Sequence, residues 1–344
     1  MSHFRDEIGE QPEVASRMLR ESRDTVSAIG ARIREVLPRG YVIAARGSSD
    51  HAALYAKYLF GVRNRALVAL AAPSLFTHYA RPPHLEGQCV IGISQSGASP
   101  DVVSVLEEAR RQGALTIAIS NDAGSPLGKA AEYVISLGAG PERSVPASKT
   151  YTASLLALAL ISQAVDEDAA FEAALSMVPQ AMAKALEMDS GLERLAGPLN
   201  AARAIVLGRG FNFSTAEELA LKLMETSYVM ARAWSVADFE HGPIAVVEGG
   251  IPIVVVDGGG AMAASMESIR ERVGGSGCAV VQLVDGKIRD ADPATTVQVA
   301  SGLPEELTPI SLTVLAQLLA HHVAVVRGFD PDSPREIHKV TRTW

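Results

Sequence analysis

Cysteine is scarce in the sequence and positive charge is not in excess, and each shortage excludes a class of protein. Cys89 and Cys278 are the only cysteines among 344 residues, and both lie in apolar, strand-like runs. A disulfide framework, a zinc site and an exposed cysteine nucleophile are therefore not expected. The formal net charge is −8 and no basic run occurs, so neither nucleic acid nor an anionic membrane surface is an expected partner. A small anionic ligand is still compatible with the negative net charge, because local hydrogen-bond donors would bind it.

Long hydrophobic runs are also missing. The first thirty residues include Arg5, Asp6, Glu7 and Glu10 and lack the apolar core of a signal peptide. No later segment approaches the ~18 uninterrupted apolar residues of a membrane span. Hydrophobic residues still make up 48% of the chain, which is ample for about two domains of ~150 residues. These totals predict a globular, cytoplasmic protein.

Short apolar runs alternate with helical segments after an amphipathic helical lead-in, a pattern typical of α/β folds in which helices cover both faces of a parallel sheet. The predicted strands are 41–45, 67–70, 88–93, 115–119, 133–136, 204–207, 251–256, 279–284 and 296–300. A long helix is predicted over 214–230. The strand, glycine and helix of 41–60 return at 204–230, so we predict an internal duplication.

Two hydroxyl-rich loops, 47–49 and 94–99, each follow a predicted strand. Parallel sheets bind ligands at the carboxyl ends of their strands. Serine hydroxyls beside a glycine, together with the free N–H groups at the start of the next helix, suit a phosphate. A serine-capped turn is the alternative, and the 94–99 segment alone does not separate the two interpretations.

Charged residues form one stripe on the predicted helix 214–230. At about 100° per residue, Glu218, Lys222 and Glu225 share a narrow face, while apolar residues occupy most of the remaining circumference. Such a stripe either faces solvent as an ion-pair ladder, which is the commoner case, or faces a polar cavity. Past the helix, His241 lies among turn formers, where it could move a proton at a sugar ring oxygen or be an ordinary surface histidine.

Two further segments carry candidate chemistry. The stretch 142–152 is dense in donors and could close over a phosphate, or it could be a plain helix start capped by Ser148. Lys339 lies near the C-terminus; it would be solvated there, but an inward-folded tail would let its amine attack a carbonyl. No group of residues has the spacing of a metal site. We expect neither a metal nor a cofactor.

Seven motifs occur in one order along nearly the whole chain. They are Gly47-Ser48-Ser49, Ser94-Gln95-Ser96-Gly97, Ser148-Lys149, Gly208-Arg209-Gly210, Leu221-Lys222-Leu223-Met224-Glu225, Glu240-His241-Gly242-Pro243 and the tail to Lys339. Together they resemble the sugar isomerase (SIS) family. Within it, the chain is similar to the two-domain isomerase half of glucosamine-6-phosphate synthase and to the related stand-alone glucosamine-6-phosphate deaminases.

The resemblance implies two SIS domains, each with a parallel flavodoxin- or Rossmann-like sheet, in a homodimer with shared sites for a hexose phosphate. The implied segments are a helical lead-in 1–37, SIS domains 38–170 and 200–328, a helical linker 171–199 and a tail 329–344 that reaches the active site. The implied substrate-binding residues are Ser48, Ser49, Ser94, Gln95, Ser96, Ser99, Ala147 and Ser148. Glu225 would shuttle a proton between C1 and C2 with Lys222 beside it, His241 of the neighbouring subunit would open the ring, and Lys339 would act at the carbonyl.

Departures from the synthase pattern shape the expected function. The synthase begins with a glutaminase domain whose nucleophile is an N-terminal cysteine, whereas Ser2 follows Met1 in this sequence. Ala147 replaces a serine of the synthase, and Met224 and Glu240 each replace a lysine. We therefore expect no glutaminase activity. The predicted reaction is the conversion of glucosamine 6-phosphate to fructose 6-phosphate and ammonia. A fructosamine-6-phosphate deglycase and a galactosamine-6-phosphate deaminase/isomerase are the enzymatic alternatives. A non-catalytic sugar-phosphate sensor is the alternative of another class, although it would not need Glu225, His241 or Lys339.

Overall fold

The chain divides into two compact units, each built on one five-stranded sheet. A computed structural model describes residues 2–286, 288 and 291–339. The first unit comprises Glu13–Glu142, Lys149–Ser176 and Ile337–Trp344, and the second comprises Met1–Pro12, Arg143–Ser148 and Met177–Glu336, as far as they are described. Residues 340–344 of the predicted tail lie outside the described residues.

Helices and strands alternate over most of the described chain. The helices are α1 (His3–Gly9), α2 (Gln11–Glu21), α3 (Arg23–Val36), α4 (Ser48–Val62), α5 (Ser74–Thr77), α6 (Pro100–Arg111), α7 (Pro126–Ala130), α8 (Lys149–Asp166), α9 (Ala169–Leu186), α10 (Asp189–Leu195), α11 (Phe213–Ser227), α12 (Val236–Glu240), α13 (Ala263–Gly274) and α14 (Thr308–Val326). The strands are β1 (Tyr41–Ala44), β2 (Val68–Leu70), β3 (Cys89–Ile93), β4 (Leu115–Ser120), β5 (Tyr133–Ser136), β6 (Arg203–Gly208), β7 (Met230–Ser235), β8 (Ile253–Asp257), β9 (Val280–Asp285) and β10 (Thr296–Val299).

The first sheet is parallel, with the strand order β2-β1-β3-β4-β5. Every residue of β3 and β4 is buried, as expected for strands with helices on both faces, whereas the edge strand β2 is mostly exposed. Side chains such as Val90, Leu106 and Leu127 join β3 to α6 and α7 in one apolar cluster. This packing fixes the start of α6 relative to the end of β3.

The second sheet repeats the same topology, with parallel strands in the order β7-β6-β8-β9-β10. Counted along the chain, each sheet has the order 2-1-3-4-5, which is the flavodoxin-like arrangement. Ile253 packs against Met266 and Ile269 of α13 in the core of this unit. The predicted α/β fold and its internal duplication are confirmed.

One prediction of a helix was wrong in extent. The helix expected over 214–230 ends at Ser227, because Tyr228 adopts a left-handed backbone with φ 55° and residues 230–235 form β7. A glycine usually marks such a stop. The tyrosine gave no comparable sequence signal. The helical lead-in comprises α1, α2 and α3.

One helix passes a length and composition test for a membrane span, although Gln317 and two histidines interrupt its apolar run. Residues Glu305–Val326 are long and apolar enough to cross a membrane by length and composition, and 78% of an 18-residue window within them is buried. The helix α14 packs against α10, α11 and β9 of its own unit. These surroundings are those of a core helix.

Gly30 marks a close contact between α3 and α8 in the first unit. A Cβ atom at position 30 would lie 2.6 Å from the Cβ atom of Ala164, whereas at Gly61 in α4 the nearest atom would be 3.9 Å away. Gly30→Ala should therefore lower the free energy of unfolding by about 1–3 kcal/mol. Gly61→Ala should raise it by up to about 1 kcal/mol. Urea denaturation measures both changes, and a Gly30→Ala protein as stable as the wild type would contradict the close contact.

Candidate active site

The first sheet reverses its strand order between β1 and β3, because β2 pairs with the other edge of β1. In open parallel sheets, ligands bind in the crevice at the carboxyl ends of two such neighbouring strands. The 47–49 loop follows β1 and the 94–99 loop follows β3. The structure thus brings both hydroxyl-rich loops to one topological switch point.

The 94–99 loop folds back on itself through its serines. The Ser94 hydroxyl accepts a hydrogen bond from the Gly97 N–H at 3.2 Å and lies 3.4 Å from the Ser99 hydroxyl. The Ser96 hydroxyl accepts from the Ala98 N–H at 3.3 Å. Ser99 is the N-cap of α6, and its side chain forms no capping bond within the described structure. Hydroxyls therefore surround the positive end of a twelve-residue helix, which suits a phosphate.

The turn of this loop requires glycine at position 97. Gly97 has φ 61°, and a Cβ atom there would overlap the side chain of Ser125. The predicted contact residues Gln95, Ser48 and Ser49 are all half-buried at the same switch point. Their side chains are thus accessible to a ligand.

An ion pair that sequence reasoning missed joins the two loops. Arg46, directly before Gly47, donates from Nε to Oδ2 of Asp101 at 2.7 Å. Asp101 is fully buried in the first turn of α6, whereas the Arg46 side chain is 49% exposed. The two residues are 55 positions apart, so no local pattern shows the pair. It fixes the spacing between the 47–49 loop and the start of α6.

The charged stripe of α11 is a buried ion network in the second unit. The Lys222 amine lies 2.5 Å from Oε2 of Glu225 and 3.3 Å from Oε1 of Glu218. The Lys222 and Glu218 side chains are 1% and 0% exposed, so the stripe is not the solvent-facing ladder that is the commoner case. The Glu225 side chain is 17% exposed and is the member of the three that a ligand can reach.

Electrostatics hold Lys222 in its charged form. Burial disfavours the Lys222 ammonium group, but the carboxylates of Glu218 and Glu225 outweigh burial and raise the pKa of Lys222 above its ordinary value. Lys222 therefore stays protonated at neutral pH. A cation fixed 2.5 Å from Glu225 orients that carboxylate and responds to any change of its charge.

Lys339 is anchored by a buried carboxylate in the first unit. Its amine donates to Oε2 of Glu142 at 2.7 Å, and the Glu142 side chain is 0% exposed. The N–H and the hydroxyl of Thr150, in the first turn of α8, donate to the same carboxylate at 3.0 and 2.8 Å. The C-terminal segment therefore folds inward at Lys339. An inward fold was the condition for the chemical role predicted for this lysine. Glu142 was not predicted as a site residue.

The other predicted site residues lie in the second unit. Ala147 and Ser148 directly precede α8; Ala147 is half-buried and Ser148 is fully buried. The Ser148 carbonyl accepts from Nε2 of Gln317 at 3.2 Å. His241 is the exposed C-cap of the short helix α12. The roles of all three remain predictions.

The second sheet has a matching switch point between β6 and β8, but the chain's own side chains fill it. The Asn212 amide donates to the Thr308 hydroxyl at 2.8 Å, and a Cβ atom at Gly258 would overlap both groups. The Ala261 N–H donates to a carboxylate oxygen of Glu305 at 2.5 Å. A phosphate here would have to displace an internal carboxylate. The contrast favours the first sheet as the anion site.

Comparison with known families matches the duplicated fold. The model of the SIS domain matches residues 39–163 and 199–327, and each segment contains one of the two sheets. The chain belongs to the SIS domain family. The resemblance inferred from the seven motifs is thereby confirmed.

Relatives of this SIS protein cover nearly all of it. Glutamine–fructose-6-phosphate aminotransferase [isomerizing] of Thermococcus kodakarensis is 32% identical in an alignment 343 residues long, which covers 97% of this chain and 56% of the relative. The chain thus spans about half the length of the curated relatives it matches. A candidate phosphosugar isomerase from Silicibacter pomeroyi is 33% identical with a TM-score of 0.88, over 96% of this chain and 100% of that one. The C-terminal domain of glucosamine-fructose-6-phosphate aminotransferase from Francisella tularensis is 26% identical with a TM-score of 0.88, over 97% and 98%.

The Arg46–Asp101 pair predicts a stability loss at the loop junction. Asp101→Asn should lower the free energy of unfolding by about 2–4 kcal/mol, because it removes the charge from a fully buried acceptor. Arg111→Ala breaks the Arg111–Glu108 pair on the same helix, in which Arg111 is 72% exposed, and should change stability by less than about 1 kcal/mol. Chemical denaturation measures both variants. Equal effects would mean that Arg46 and Asp101 do not form a buried tie.

Breaking the ion network of α11 should cause a larger loss of stability, and that loss should depend on pH. Lys222→Met leaves the buried Glu218 carboxylate without this cation and should lower the free energy of unfolding by about 3–5 kcal/mol. Because the folded-state pKa of Lys222 is raised, its contribution is complete below the ordinary value of 10.5 and is lost as pH rises through the folded pKa. The stability that Lys222 contributes to the wild type should therefore persist between about pH 6 and 9 and be lost only in more alkaline solution.

A control variant in the same unit separates burial from charge. Arg203→Met breaks a pair with Glu248 in which both side chains are more than 60% exposed, and it should cost less than about 1 kcal/mol. Urea denaturation at several pH values measures both variants. A Lys222→Met protein no less stable than Arg203→Met would contradict the buried network.

Proposed function

We propose that this SIS protein is a phosphosugar aldose–ketose isomerase that releases ammonia, converting glucosamine 6-phosphate and water to fructose 6-phosphate and ammonia. The observation that carries the proposal is the contact between the partly exposed Glu225 and the buried Lys222, backed by Glu218. A carboxylate held beside a fixed cation is pre-oriented for repeated proton transfer. The relatives named as isomerizing aminotransferases and a candidate phosphosugar isomerase support the same class of chemistry.

The proposed reaction needs one base that acts on two neighbouring carbons. In the open-chain amino sugar, Glu225 removes the proton from C2 while the C1 oxygen takes up a proton, which gives an enolamine. Glu225 then returns its proton to C1 while the nitrogen loses a proton, which replaces the one that the C1 oxygen took up. The product is the C2 imine of fructose 6-phosphate. Water adds to this imine and ammonia leaves, so the atoms balance without glutamine. Lys222 stabilises the Glu225 carboxylate before the first transfer and after the second.

The remaining residues are proposed to bind, open and hold the sugar. The serine hydroxyls of the 47–49 and 94–99 loops and the N-terminus of α6 receive the phosphate. His241 opens the pyranose ring, and its exposure suits action on a substrate held by a second copy of the chain in a homodimer. Lys339, fixed by Glu142, acts at the carbonyl end of the open sugar. We place the reaction in the cytoplasm.

A matched pair of variants tests the base. Glu225→Gln should reduce ammonium release from glucosamine 6-phosphate by roughly 10²–10⁴-fold, because a positioned general base typically contributes that much. Binding of fructose 6-phosphate, measured by calorimetry, should change little. Glu193→Gln alters an exposed glutamate of the same unit and should leave both quantities at the wild-type level. Undiminished turnover in Glu225→Gln would remove the mechanism.

A substrate panel on the wild-type protein separates the alternatives. Released amine is measured with glucosamine 6-phosphate, galactosamine 6-phosphate and fructosamine 6-phosphate. Fastest turnover of fructosamine 6-phosphate would identify the protein as a deglycase. Fastest turnover of galactosamine 6-phosphate would mean a different sugar substrate with the same proton transfers. Tight binding of a hexose phosphate without turnover of any amino sugar would favour a sensor.

A further inference from the structure

The segment 143–148 in the second unit contains Ala147 and Ser148, two residues with predicted sugar contacts. It contains no regular secondary structure and ends where α8 begins at Lys149. Its position therefore depends on bonds made by side chains from elsewhere in the sequence. Its role as a sugar contact rests on the proposed function.

A carboxylate from α1 holds the first half of this segment. Glu7 is 4% exposed and accepts from the backbone N–H of Arg143 and from the hydroxyl of Ser144. The backbone N–H of Ser144 lies at 3.3 Å from the same carboxylate. Ser144 is fully buried, and its hydroxyl also lies 3.0 Å from the Pro146 carbonyl. One carboxylate thus satisfies donors of two successive residues.

A pair of buried amides holds the second half. Gln317 of α14 donates to the Ser148 carbonyl at 3.2 Å. Its own side-chain oxygen accepts from Nε2 of Gln11 at 2.9 Å, and Nε2 of Gln11 also donates to the Ile8 carbonyl at 3.0 Å. Gln11 and Gln317 are both fully buried. The segment is therefore tied at one end to α1 and at the other to the start of α2 through α14.

Burial of the Glu7 charge is costly unless donors surround it, and these donors all belong to the 143–148 segment. A helix that needed only to pack would carry an apolar residue at this position. The carboxylate has two oxygens that both accept, whereas an amide would turn an N–H₂ group toward backbone N–H donors. The identity of the residue is therefore set by the segment that it holds.

We propose that Glu7 is a positioning residue for the sugar site: through Arg143 and Ser144 it fixes the 143–148 segment in the conformation that presents the half-buried Ala147 to the substrate and holds Ser148 beside it. The N-terminal lead-in is thereby part of the machinery for substrate binding. Glu7 itself touches no substrate and transfers no proton.

The test compares Glu7→Gln with the milder Ser144→Ala, which removes a single hydroxyl donor and keeps the carboxylate. In Glu7→Gln, the KM for glucosamine 6-phosphate should rise roughly tenfold or more, since hydrogen bonds to a charged group are the stronger ones, while kcat changes by less than about twofold. Backbone hydrogen exchange in peptides covering 143–150 should become roughly tenfold faster. Ser144→Ala should move KM and exchange in the same direction by about two- to fivefold.

Asp6→Asn is the control, because Asp6 is an exposed acid on the same short helix. It should leave KM and the exchange of 143–150 at the wild-type values. If the wild type is active but Glu7→Gln leaves either KM or the exchange of 143–150 unchanged, the inference about Glu7 is overturned and the proposed function stands. A wild type that binds neither glucosamine 6-phosphate nor fructose 6-phosphate overturns the proposed function, and this inference with it.

Discussion

The pairing of β1 with β3 is the constraint on which the first unit's candidate site depends. Because these strands are parallel neighbours and β2 lies on the other side of β1, the segments that leave their carboxyl ends diverge and open a crevice. The hydroxyls of the 47–49 loop and the N-terminus of α6 can serve one ligand only while that pairing and the Arg46–Asp101 tie hold them at a fixed spacing.

The duplicated topology makes the difference between the two sheets informative. Both have a switch point with a helix N-terminus nearby, so backbone geometry alone would offer two anion sites. In the second sheet, Asn212 and Thr308 close the crevice and Glu305 accepts the N–H of Ala261. The same backbone therefore supports an open crevice in one unit and a filled one in the other, and a few side chains decide which.

Local features of the site could be predicted from the sequence, and long-range ones could not. Nine strands, both hydroxyl-rich loops and the Glu218–Lys222–Glu225 stripe follow from patterns within a few residues. The strand β7 was missed because Tyr228 ends α11 without a glycine. Whether the stripe faced solvent depended on the elements that pack around α11, which helical periodicity does not contain. Arg46–Asp101 and Glu142–Lys339 join residues 55 and 197 positions apart, so only the folded chain brings them together.

Three nearly fully buried glutamates indicate the role of the buried charges in this protein. Glu7, Glu142 and Glu218 each hold groups that a purely apolar core would not contain: the 143–148 segment, the Lys339 amine and the Lys222 amine. Replacing buried ion pairs by well-packed apolar residues is frequently neutral or stabilising, so stability alone does not account for three of them. Directional bonds to a carboxylate do account for them, because they fix one rotamer of a lysine or one conformation of a loop where packing would permit several. In this protein, the buried charges specify geometry around the proposed chemistry, and the apolar cores supply the stability that offsets their desolvation.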